Sequence, residues 1–356
     1  MDHLPSECRP TDGCSRRTFL TTASSLALGL CAWPLPALPA VKPFSEGKDR
    51  SAGTGKRSAG TGLVLDERYT RHLLGRNHPE SPERLKAIER RLEATGLAGA
   101  VVKIAPSVEA AAHIRAIHPE SHIRLVGRQA RDESICRLAV SGCLDAVDAV
   151  CTGRAVNAFC AVRPPGHHAA DRGEYGFCFY NNIAVAARYA QRKHGLAKIL
   201  IVDWDYHHGD GTEWAFYADP TVLFFSTHAL YAFPGTGFAE RTGSGAGKGF
   251  NINVPMPRGT DDKAILDAFH EHLVPAAERF RPDLVMISAG FDSRKDDPLG
   301  DFAITDGGFT ALTRLMMSIA SAHCGSRIVS ILEGGYNTEG LALAVESHIR
   351  ALLGHG

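Results

Sequence analysis

The sequence predicts an α/β fold, in which a single domain has a central, mostly parallel β-sheet flanked by helices. From Leu63 onward, short apolar runs rich in β-branched residues alternate with amphipathic stretches, which is the pattern of β–α–β units. Several of these runs are hydrophobic throughout, as in strands that helices cover on both faces. The chain has 356 residues, of which 44% are hydrophobic, and this is enough for one large core of that kind.

The predicted strands are, in chain order, 158–162, 198–204, 222–227, 252–256, 284–290 and 327–332. Amphipathic segments are predicted near 82–95, 136–152, 182–194, 261–280, 305–323 and 338–353. Parallel sheets bind ligands beyond the carboxyl ends of their strands. The His-, Asp- and Tyr-containing motifs described below as metal ligands or catalytic groups each follow one of these strands, so we expect a single active site at that edge.

The first 62 residues differ from the rest of the chain. Arg16 and Arg17 precede an apolar run that ends in small residues at 37–40, which is the arrangement of a twin-arginine export signal. An ordinary amphipathic helix is the alternative, and lipid attachment at Cys31 is a weaker variant of the export reading. Residues 41–62 repeat Ser-Ala-Gly-Thr-Gly and predict a flexible tether. We therefore expect a signal over 1–40, a tether over 41–62 and a folded domain over 63–356.

Charge and cysteine content narrow the class of protein. The formal net charge is +0, so no basic field is available to hold nucleic acid or an anionic membrane. Cys136, Cys143 and Cys151 are spaced so that they share one helix face, which favours small buried residues over a disulfide framework. We expect a soluble protein with no nucleic-acid partner and no stable membrane insertion once the signal is removed.

A metal site is predicted where strand 198–204 ends, in the stretch DWDYHHGDG. Asp205 and His207 are two positions apart in an extended segment, so their side chains point the same way. Asp292 follows strand 284–290 and supplies a third ligand from the same edge. Three protein ligands leave positions open for water and substrate, and mixed oxygen and nitrogen donors suit Zn²⁺, with Fe²⁺ as an alternative. In isolation, Asp205 and His207 could instead cap a turn.

Two adjacent histidines follow strand 158–162 in the loop RPPGHH. His167 and His168 beside a metal site are candidates for general acid and base. Such histidines are commonly held in one tautomer by a carboxylate, and Asp203 and Asp210 are placed to do this. A buried structural hydrogen bond is the expected role of His208.

The stretch LEGGYN follows the last predicted strand. Its two glycines allow a sharp turn that presents Tyr336 to the same edge of the sheet. There the hydroxyl can donate to the oxyanion that forms when water attacks an amide carbonyl. The alternative is a tyrosine that only packs over helix 338–353.

The motifs together resemble one known family. In order, HPESPERL, RPPGHH, GFCFYNN, DWDYHHGDG, FPGTG, AGFD and LEGGYN are similar to motifs of the histone deacetylase and acetylpolyamine amidohydrolase family. The resemblance covers about 63–353, and the EGGYN ending is most similar to class II members and their bacterial relatives. It implies the sheet-and-helix fold that this family shares with arginase.

Carried over by position, the resemblance implies a zinc-dependent deacetylase domain. It places zinc on Asp205, His207 and Asp292, pairs His167 with Asp203 and His168 with Asp210, and makes His168 the principal base and Tyr336 the carbonyl polariser. It implies a substrate tunnel formed by Phe177, Phe233 and Leu299. It also implies a monovalent cation, usually K⁺, at Asp203, Asp205, His207, Ser226 and Thr227.

The sequence departs from the family where a longer substrate-binding loop with an aspartate is usual. The segment before 136–152 is short, and only Asp132 could correspond to that aspartate. A shorter loop implies a wider mouth.

The expected function is hydrolysis of an acetyl or acyl amide of a linear amine, small-molecule or peptide, in the periplasm or another exported location after passage through the twin-arginine machinery. One alternative is a non-catalytic acetyl-amine binding protein. Another is a dinuclear manganese ureohydrolase, which Arg294 disfavours because it stands where a second metal-binding aspartate would be needed. The physiological substrate and the oligomeric state stay open.

Overall fold

A computed structural model describes residues 60–355. The predicted export signal and residues 41–59 of the predicted tether lie outside the described residues. Thr61 and Gly62, which the sequence analysis assigned to the tether, lie in the first strand, where they pair with neighbouring backbone. The first strand therefore begins two residues before Leu63, the predicted start of the folded domain.

Eight parallel strands form one sheet in the order β2-β1-β3-β8-β7-β4-β5-β6. The strands are β1 (Thr61–Val64), β2 (Val102–Ile104), β3 (Asn157–Cys160), β4 (Ile199–Asp203), β5 (Val222–Ala229), β6 (Asn251–Met256), β7 (Leu284–Ala289) and β8 (Ile328–Leu332). The predicted α/β class is confirmed, and the six predicted strands are β3 to β8.

Ten α-helices cover the sheet in the described part of the chain. They are α1 (Glu83–Ala94), α2 (Ala111–Ile114), α3 (Glu120–Gln129), α4 (Glu133–Cys151), α5 (Asn182–His194), α6 (Asp210–Phe216), α7 (Asp262–Ala268), α8 (Val274–Phe280), α9 (Asp306–His323) and α10 (Thr338–Leu352). A π-helical turn, Phe269–Leu273, joins α7 to α8, so the predicted segment 261–280 is one interrupted helix. None of the described helices is long and apolar enough to span a bilayer.

The strands form because their side chains are apolar on both faces and both faces are covered. Every residue of β4, β7 and β8 is buried, and α4 alone contributes thirteen buried residues to the layer against the sheet. Each fully buried Val, Leu or Ile side chain contributes about 1.5–3 kcal/mol. Cys136 and Cys143 are buried free thiols on α4, as the small-residue interpretation predicted.

Local signals set the helix ends near the site. Asn181 begins α5 by accepting a hydrogen bond from the Ala184 amide, and Gly195 ends it in the left-handed region at φ 67°. Asp132 is the N-cap of α4 and accepts from the Ser134 amide at 3.0 Å. Asp132 is thus used to start a helix, and it does not line the pocket described below.

The chain order of the strands determines where a ligand can bind. β3 and β4 are separated in the sheet by β8 and β7, which come later in the chain. Such a reversal opens a crevice at the carboxyl ends of the central strands. The loops that follow β3, β4, β5, β7 and β8 all meet at this edge.

Candidate metal centre and catalytic pocket

The three predicted metal ligands converge. Donor atoms of Asp205, His207 and Asp292 all lie within 4.8 Å of one another. His207 Nδ1 is 3.2 Å from Asp205 Oδ1 and 3.0 Å from Asp292 Oδ2. Asp205 and His207 come from the loop after β4, and Asp292 comes from the loop after the adjacent strand β7. The turn-capping alternative for the first two does not account for this convergence.

The surrounding backbone fixes both carboxylates. Asp205 Oδ2 accepts from the Gly334 amide at 2.8 Å, and Asp292 Oδ1 accepts from the Tyr206 amide at 2.9 Å. A Cβ at Gly290 would lie 2.0 Å from Asp205 Oδ2, and one at Gly334 would lie 2.1 Å from Asp292 Oδ2. These positions require glycine because any side chain would collide with the carboxylates.

The electrostatics of this cluster fit a cation. Burial and then the charge of Asp205 raise the pKa of Asp292 to about 7. Burial opposes protonation of His207, yet its hydrogen bonds to both carboxylates raise its pKa to about 10. The two enclosed carboxylates therefore attract a positive charge to the space between them. Two oxygen donors and one nitrogen donor match the coordination preference of Zn²⁺ or Fe²⁺.

His167 and Asp203 form an inner pair. His167 Nδ1 lies 3.0 Å from Asp203 Oδ2, and both side chains are buried. Burial favours the neutral ring, but the charges of Asp205 and Asp203 prevail and raise the pKa of His167 well above its usual value. Asp203 Oδ1 also accepts from the Asp205 amide at 3.1 Å, so the inner pair supports a ligand as well.

His168 and Asp210 form an outer pair that faces the pocket. His168 Nδ1 lies 2.8 Å from Asp210 Oδ1. Burial, followed by the positive charge of His167, lowers the pKa of His168 to about 3 despite that carboxylate. Arg172 binds the other oxygen of Asp210 and lies 3.9 Å over the ring of Tyr175. His168 is therefore a neutral ring, which is the state a general base needs.

Tyr336 reaches the same pocket from the loop after β8. Its ring lies 6.0 Å from that of Phe177, and the Arg84 guanidinium lies 5.1 Å from its centroid. Arg84 Nε donates to the Gly335 carbonyl at 2.6 Å, and the Tyr336 amide donates to Asp297 Oδ2 at 2.6 Å. Burial and then the charge of Asp292 raise the pKa of the phenol well above its ordinary value, so it stays a hydrogen-bond donor.

These groups surround a cavity of about 420 Å³. Its walls are His168, Glu174, Tyr175, Gly176, Phe177, His207, Phe233, Leu299 and Tyr336, which include all three predicted tunnel residues. A larger hollow of about 670 Å³ lies at the amino ends of β1 and β3, and none of its lining residues is titratable. The chemistry is therefore at the smaller cavity.

A tight hairpin presents Phe177 to this cavity. Tyr175 and Cys178 exchange two backbone hydrogen bonds of 3.0 Å, and Gly176 and Phe177 between them have positive φ values, 57° and 68°, as in a type I′ turn. A non-glycine residue in this region is strained. Glu174 Oε1 accepts from the Phe177 amide at 3.0 Å and holds the turn.

A buried ion network that the sequence analysis did not identify supports the site. Glu80 binds both Arg84 and Arg163, and all three side chains are fully buried. Glu333 accepts from the amides of Gly166 at 2.6 Å and His167 at 3.1 Å. In the sequence, the charged residues of HPESPERL and LEGGYN are an indication of this network.

The remaining predicted residues have mixed outcomes. Strand register places Asp203 beside Ser226, but the Ser226 hydroxyl lies 2.8 Å from His228 Nδ1. The buried Thr227 hydroxyl has no hydrogen-bond partner among the described residues. Nothing in these contacts tests K⁺ binding, which stays a prediction. His208 Nδ1 lies 2.8 Å from the Thr236 hydroxyl, which agrees with its expected structural role.

Two alternatives to a mononuclear centre are poorly supported. His167, Cys178 and Glu333 also bring donor atoms within 4.8 Å, but burial raises the pKa of the Cys178 thiol well above normal, which disfavours the thiolate that a metal needs. Arg294 is paired with Asp306 at 2.8 Å and 3.0 Å, so it offers nothing to a second manganese ion.

Comparison with known proteins agrees with this geometry. Residues 78–352 match the family model described as "Histone deacetylase domain". The probable deacetylase of Archaeoglobus fulgidus is 36% identical over 296 residues, covering 79% of this chain and 82% of that protein. Histone deacetylase 10, chloroplastic, of Oryza sativa subsp. japonica is 50% identical over 196 residues, covering 55% of this chain but only 44% of the rice protein.

A solved structure agrees as well. The crystal structure of the HDA15 HD domain matches with a TM-score of 0.78 at 36% identity, covering 84% of this chain and 90% of that one. The family model spans more than half of the chain. The chain belongs to the histone deacetylase family.

Proposed function

We propose that this chain is a zinc-dependent amidohydrolase that removes an acetyl or other acyl group from a linear amine. The observation that carries the proposal is the convergence of three metal ligands, a neutral histidine and a tyrosine hydroxyl on one cavity. The family and the names of its relatives support the reaction class. The cavity supports a substrate that is narrow at the scissile bond.

Asp205, His207 and Asp292 would hold the ion. When bound, zinc would supply a Lewis acid that polarises the carbonyl and increases the acidity of water. His168 would take a proton from the attacking water, and the adjacent Asp210 would stabilise the imidazolium that results. His168 would then return this proton to the amine nitrogen as the carbon–nitrogen bond breaks, so that water and amide become carboxylic acid and amine.

Tyr336 would donate its hydroxyl hydrogen to the developing oxyanion. Its position depends on Arg84 and Asp297, which bind the carbonyl and the amide of the peptide bond that joins Gly335 to Tyr336. His167, paired with Asp203, would help to stabilise the negative charge that develops on the carbonyl oxygen. Phe177 and Phe233 would hold the alkyl chain of the substrate between two aromatic rings.

The test combines metal analysis with turnover. The purified chain should bind one zinc per molecule and cleave a chromogenic acetyl-lysine peptide. Tyr336→Phe should keep its zinc and lose about 10²–10³-fold in kcat, since a single oxyanion donor is removed. Zinc loading with binding but no turnover would favour an acetyl-amine binding protein, and two metal ions per chain would favour a ureohydrolase.

We propose further that the chain is exported by the twin-arginine pathway and acts in the periplasm. Arg16 and Arg17 before an apolar run support this. Replacing both with lysine should leave the precursor inside the cell, and unchanged export would contradict the proposal.

We propose separately, from the family resemblance, that the chain binds a monovalent cation, K⁺. Its site would be formed by Asp203, Asp205, His207, Ser226 and Thr227. Exchanging KCl for choline chloride at constant ionic strength should change kcat in the zinc-loaded protein. No change across that exchange would contradict it.

A further inference from the structure

Exposed apolar side chains are concentrated beside the cavity mouth. In residues 60–355, large apolar side chains with more than about a third of their surface exposed are Leu73, Val156, Trp214, Leu230, Tyr231, Phe233, Phe238 and Leu299. Four of them, Leu230, Tyr231, Phe233 and Phe238, lie in the loop after β5. We call the three aromatic ones, Tyr231, Phe233 and Phe238, the aromatic rim. Leu299 and Phe233 both line the cavity. Clustering of this kind marks a binding surface rather than scattered exposure.

The aromatic rim is continuous with the cavity through Phe233. The Phe233 ring lies 5.2 Å from that of His168 and 5.0 Å from that of Tyr175, and it is 45% exposed. Tyr231, two residues earlier, is 80% exposed, and its ring lies 6.3 Å from that of Phe238. Tyr231 and Phe238 therefore extend the exposed apolar surface along the loop that carries Phe233.

The loop that carries the rim is held in place by its backbone. The Gly235 amide donates to the Ala232 carbonyl at 2.7 Å, and the Phe238 carbonyl accepts from the Arg241 amide at 3.0 Å. A preformed apolar surface binds a ligand without first having to be ordered, which reduces the entropic cost of binding.

Charged side chains are scarce among the described residues that line the cavity and in the loop that carries the rim. Residues 229–239 contain no charged side chain. Glu174 is the one carboxylate among the described residues that line the cavity, and one of its oxygens accepts from the Phe177 amide. Arg172 is paired with Asp210, and Asp132 caps α4. An ammonium group would find one free carboxylate oxygen in this lining, that of Glu174, whereas an apolar group would find the exposed surfaces of Phe233 and Leu299.

We propose that the amine side of the substrate is an uncharged, apolar group, aryl or alkyl, which packs on the aromatic rim. This inference rests on the proposed amidohydrolase function and gives it a substrate class. Acyl amides of hydrophobic amines are then preferred over acetylated polyamines. The acyl group enters the cavity, the thin alkyl chain passes Phe177 and Phe233, and the apolar end lies against Tyr231 and Phe238.

The experiment measures turnover by the zinc-loaded protein of two substrates with similar linear chains, N-acetyl-4-phenylbutylamine and N-acetylcadaverine. The first ends in a phenyl ring and the second in an ammonium group. The parent protein should have a kcat/KM at least about tenfold higher for the phenyl substrate, as expected for burial of an aromatic group. Tyr231→Ser combined with Phe238→Ser should reduce that ratio by about tenfold, mainly through KM.

Val156→Ser is the matched control. Val156 is 40% exposed and lies at the amino end of β3, beside the larger hollow, so a loss of exposed apolar surface there should leave the ratio unchanged. Circular dichroism of each variant checks that the fold is kept.

Several results would overturn the proposal. One is equal or higher kcat/KM for N-acetylcadaverine, especially if Glu174→Gln abolishes it, because Glu174 would then be an ammonium site. Another is a rim variant that changes the oligomeric state in sedimentation but leaves the substrate ratio unchanged, because the rim would then contact a second copy of the chain.

Failure of the proposed function is distinguishable from failure of this inference. If neither substrate nor the acetyl-lysine peptide is cleaved by the zinc-loaded protein, the amidohydrolase proposal is contradicted. Calorimetric binding of N-acetyl-4-phenylbutylamine still decides the inference: weaker binding to the rim variant supports it, and equal binding to the parent and the rim variant contradicts it.

Discussion

The inner pair and the outer pair use the same residue types but have opposite electrostatics. The rings of His167 and His168 are 4.0 Å apart, each ring bonds to an aspartate through Nδ1, and both are buried. Yet the pKa of His167 is raised well above its usual value, while that of His168 is lowered to about 3. Of these two adjacent histidines, one is thus a cation and the other a neutral ring.

The difference arises from the charges near each ring rather than from burial, which favours the neutral form of both. His167 faces Asp203 and also Asp205, so two carboxylates act on one ring. His168 has Asp210 alone, that carboxylate is shared with Arg172, and the charged His167 repels a second proton. Enzymes divide acid and base roles between like groups in this way.

The largest expected effect comes from removing one histidine at a time. His168→Ala should lower kcat by about 10³-fold because the proton acceptor is lost. His167→Ala should lower it by about 10-fold to 10²-fold, since a supporting charge is lost and the base remains. Steady-state kinetics on an acetyl-lysine peptide, with zinc content verified for each variant, measures both. Equal losses would mean that the two rings share the proton transfer.

The carboxylates should repeat this contrast at a smaller scale. Asp210→Asn keeps an acceptor for His168 but removes the charge that stabilises its protonated form, and kcat should fall by about 10²-fold with zinc retained. Asp203→Ala should instead weaken zinc affinity, because it removes the oxygen that accepts from the Asp205 amide. Zinc titration by calorimetry separates the two outcomes, and a kcat for Asp210→Asn within twofold of the parent would argue against the outer pair.

His348 shows what burial does without a carboxylate. It is fully buried, lies 2.7 Å from the Thr313 hydroxyl and 2.9 Å from the Ser330 hydroxyl, and burial lowers its pKa to about 3. The unfolded chain binds a proton at this residue below about pH 6.5, and the folded chain does not until about pH 3. Stability should therefore be lost as pH falls through this window.

The size of this loss can be measured as a difference of slopes. Between pH 6 and pH 4, the free energy of unfolding of the parent should fall more steeply than that of His348→Gln, by about 1.4 kcal/mol per pH unit. Urea unfolding at a series of pH values gives both slopes, and groups common to the two proteins cancel. Parallel slopes would mean that His348 is protonated in the fold.

Arg172 should have the smallest effect, because its side chain is 46% exposed and exposed ion pairs contribute little. Arg172→Gln should lower kcat/KM by about threefold to fivefold, chiefly by raising KM, since Tyr175 loses the guanidinium on its face. Arg172→Lys keeps the charge beside Asp210 and should preserve kcat. A loss in kcat above about 30-fold would give Arg172 a direct part in the chemistry of the outer pair.

Much of this architecture follows from sequence pattern, since β3 to β8 contain short apolar runs and several of them are followed by loops rich in His, Asp and Gly. β1 and β2 were not predicted because they have four and three residues, too few for a periodicity to appear. The ligand set was predictable because Asp205 and His207 follow the end of one strand and Asp292 follows the end of the next strand in the sheet.

The supporting contacts could not be predicted, because they depend on tertiary distances. Arg84 holds the Gly335 carbonyl across 251 residues of sequence, and no local pattern encodes that contact. Asp297 holds the Tyr336 amide across 39 residues in the same way. Asp132 shows the converse, because a residue considered for substrate binding caps a helix.

The central claim is one divalent ion held jointly by residues from the ends of β4 and β7. Anomalous diffraction at the zinc absorption edge, from crystals grown with zinc, tests it most directly. We expect a single strong anomalous peak per chain, within bonding distance of Asp205, His207 and Asp292. Two peaks in the pocket, or one peak with Asp292 turned away from it, would contradict the account.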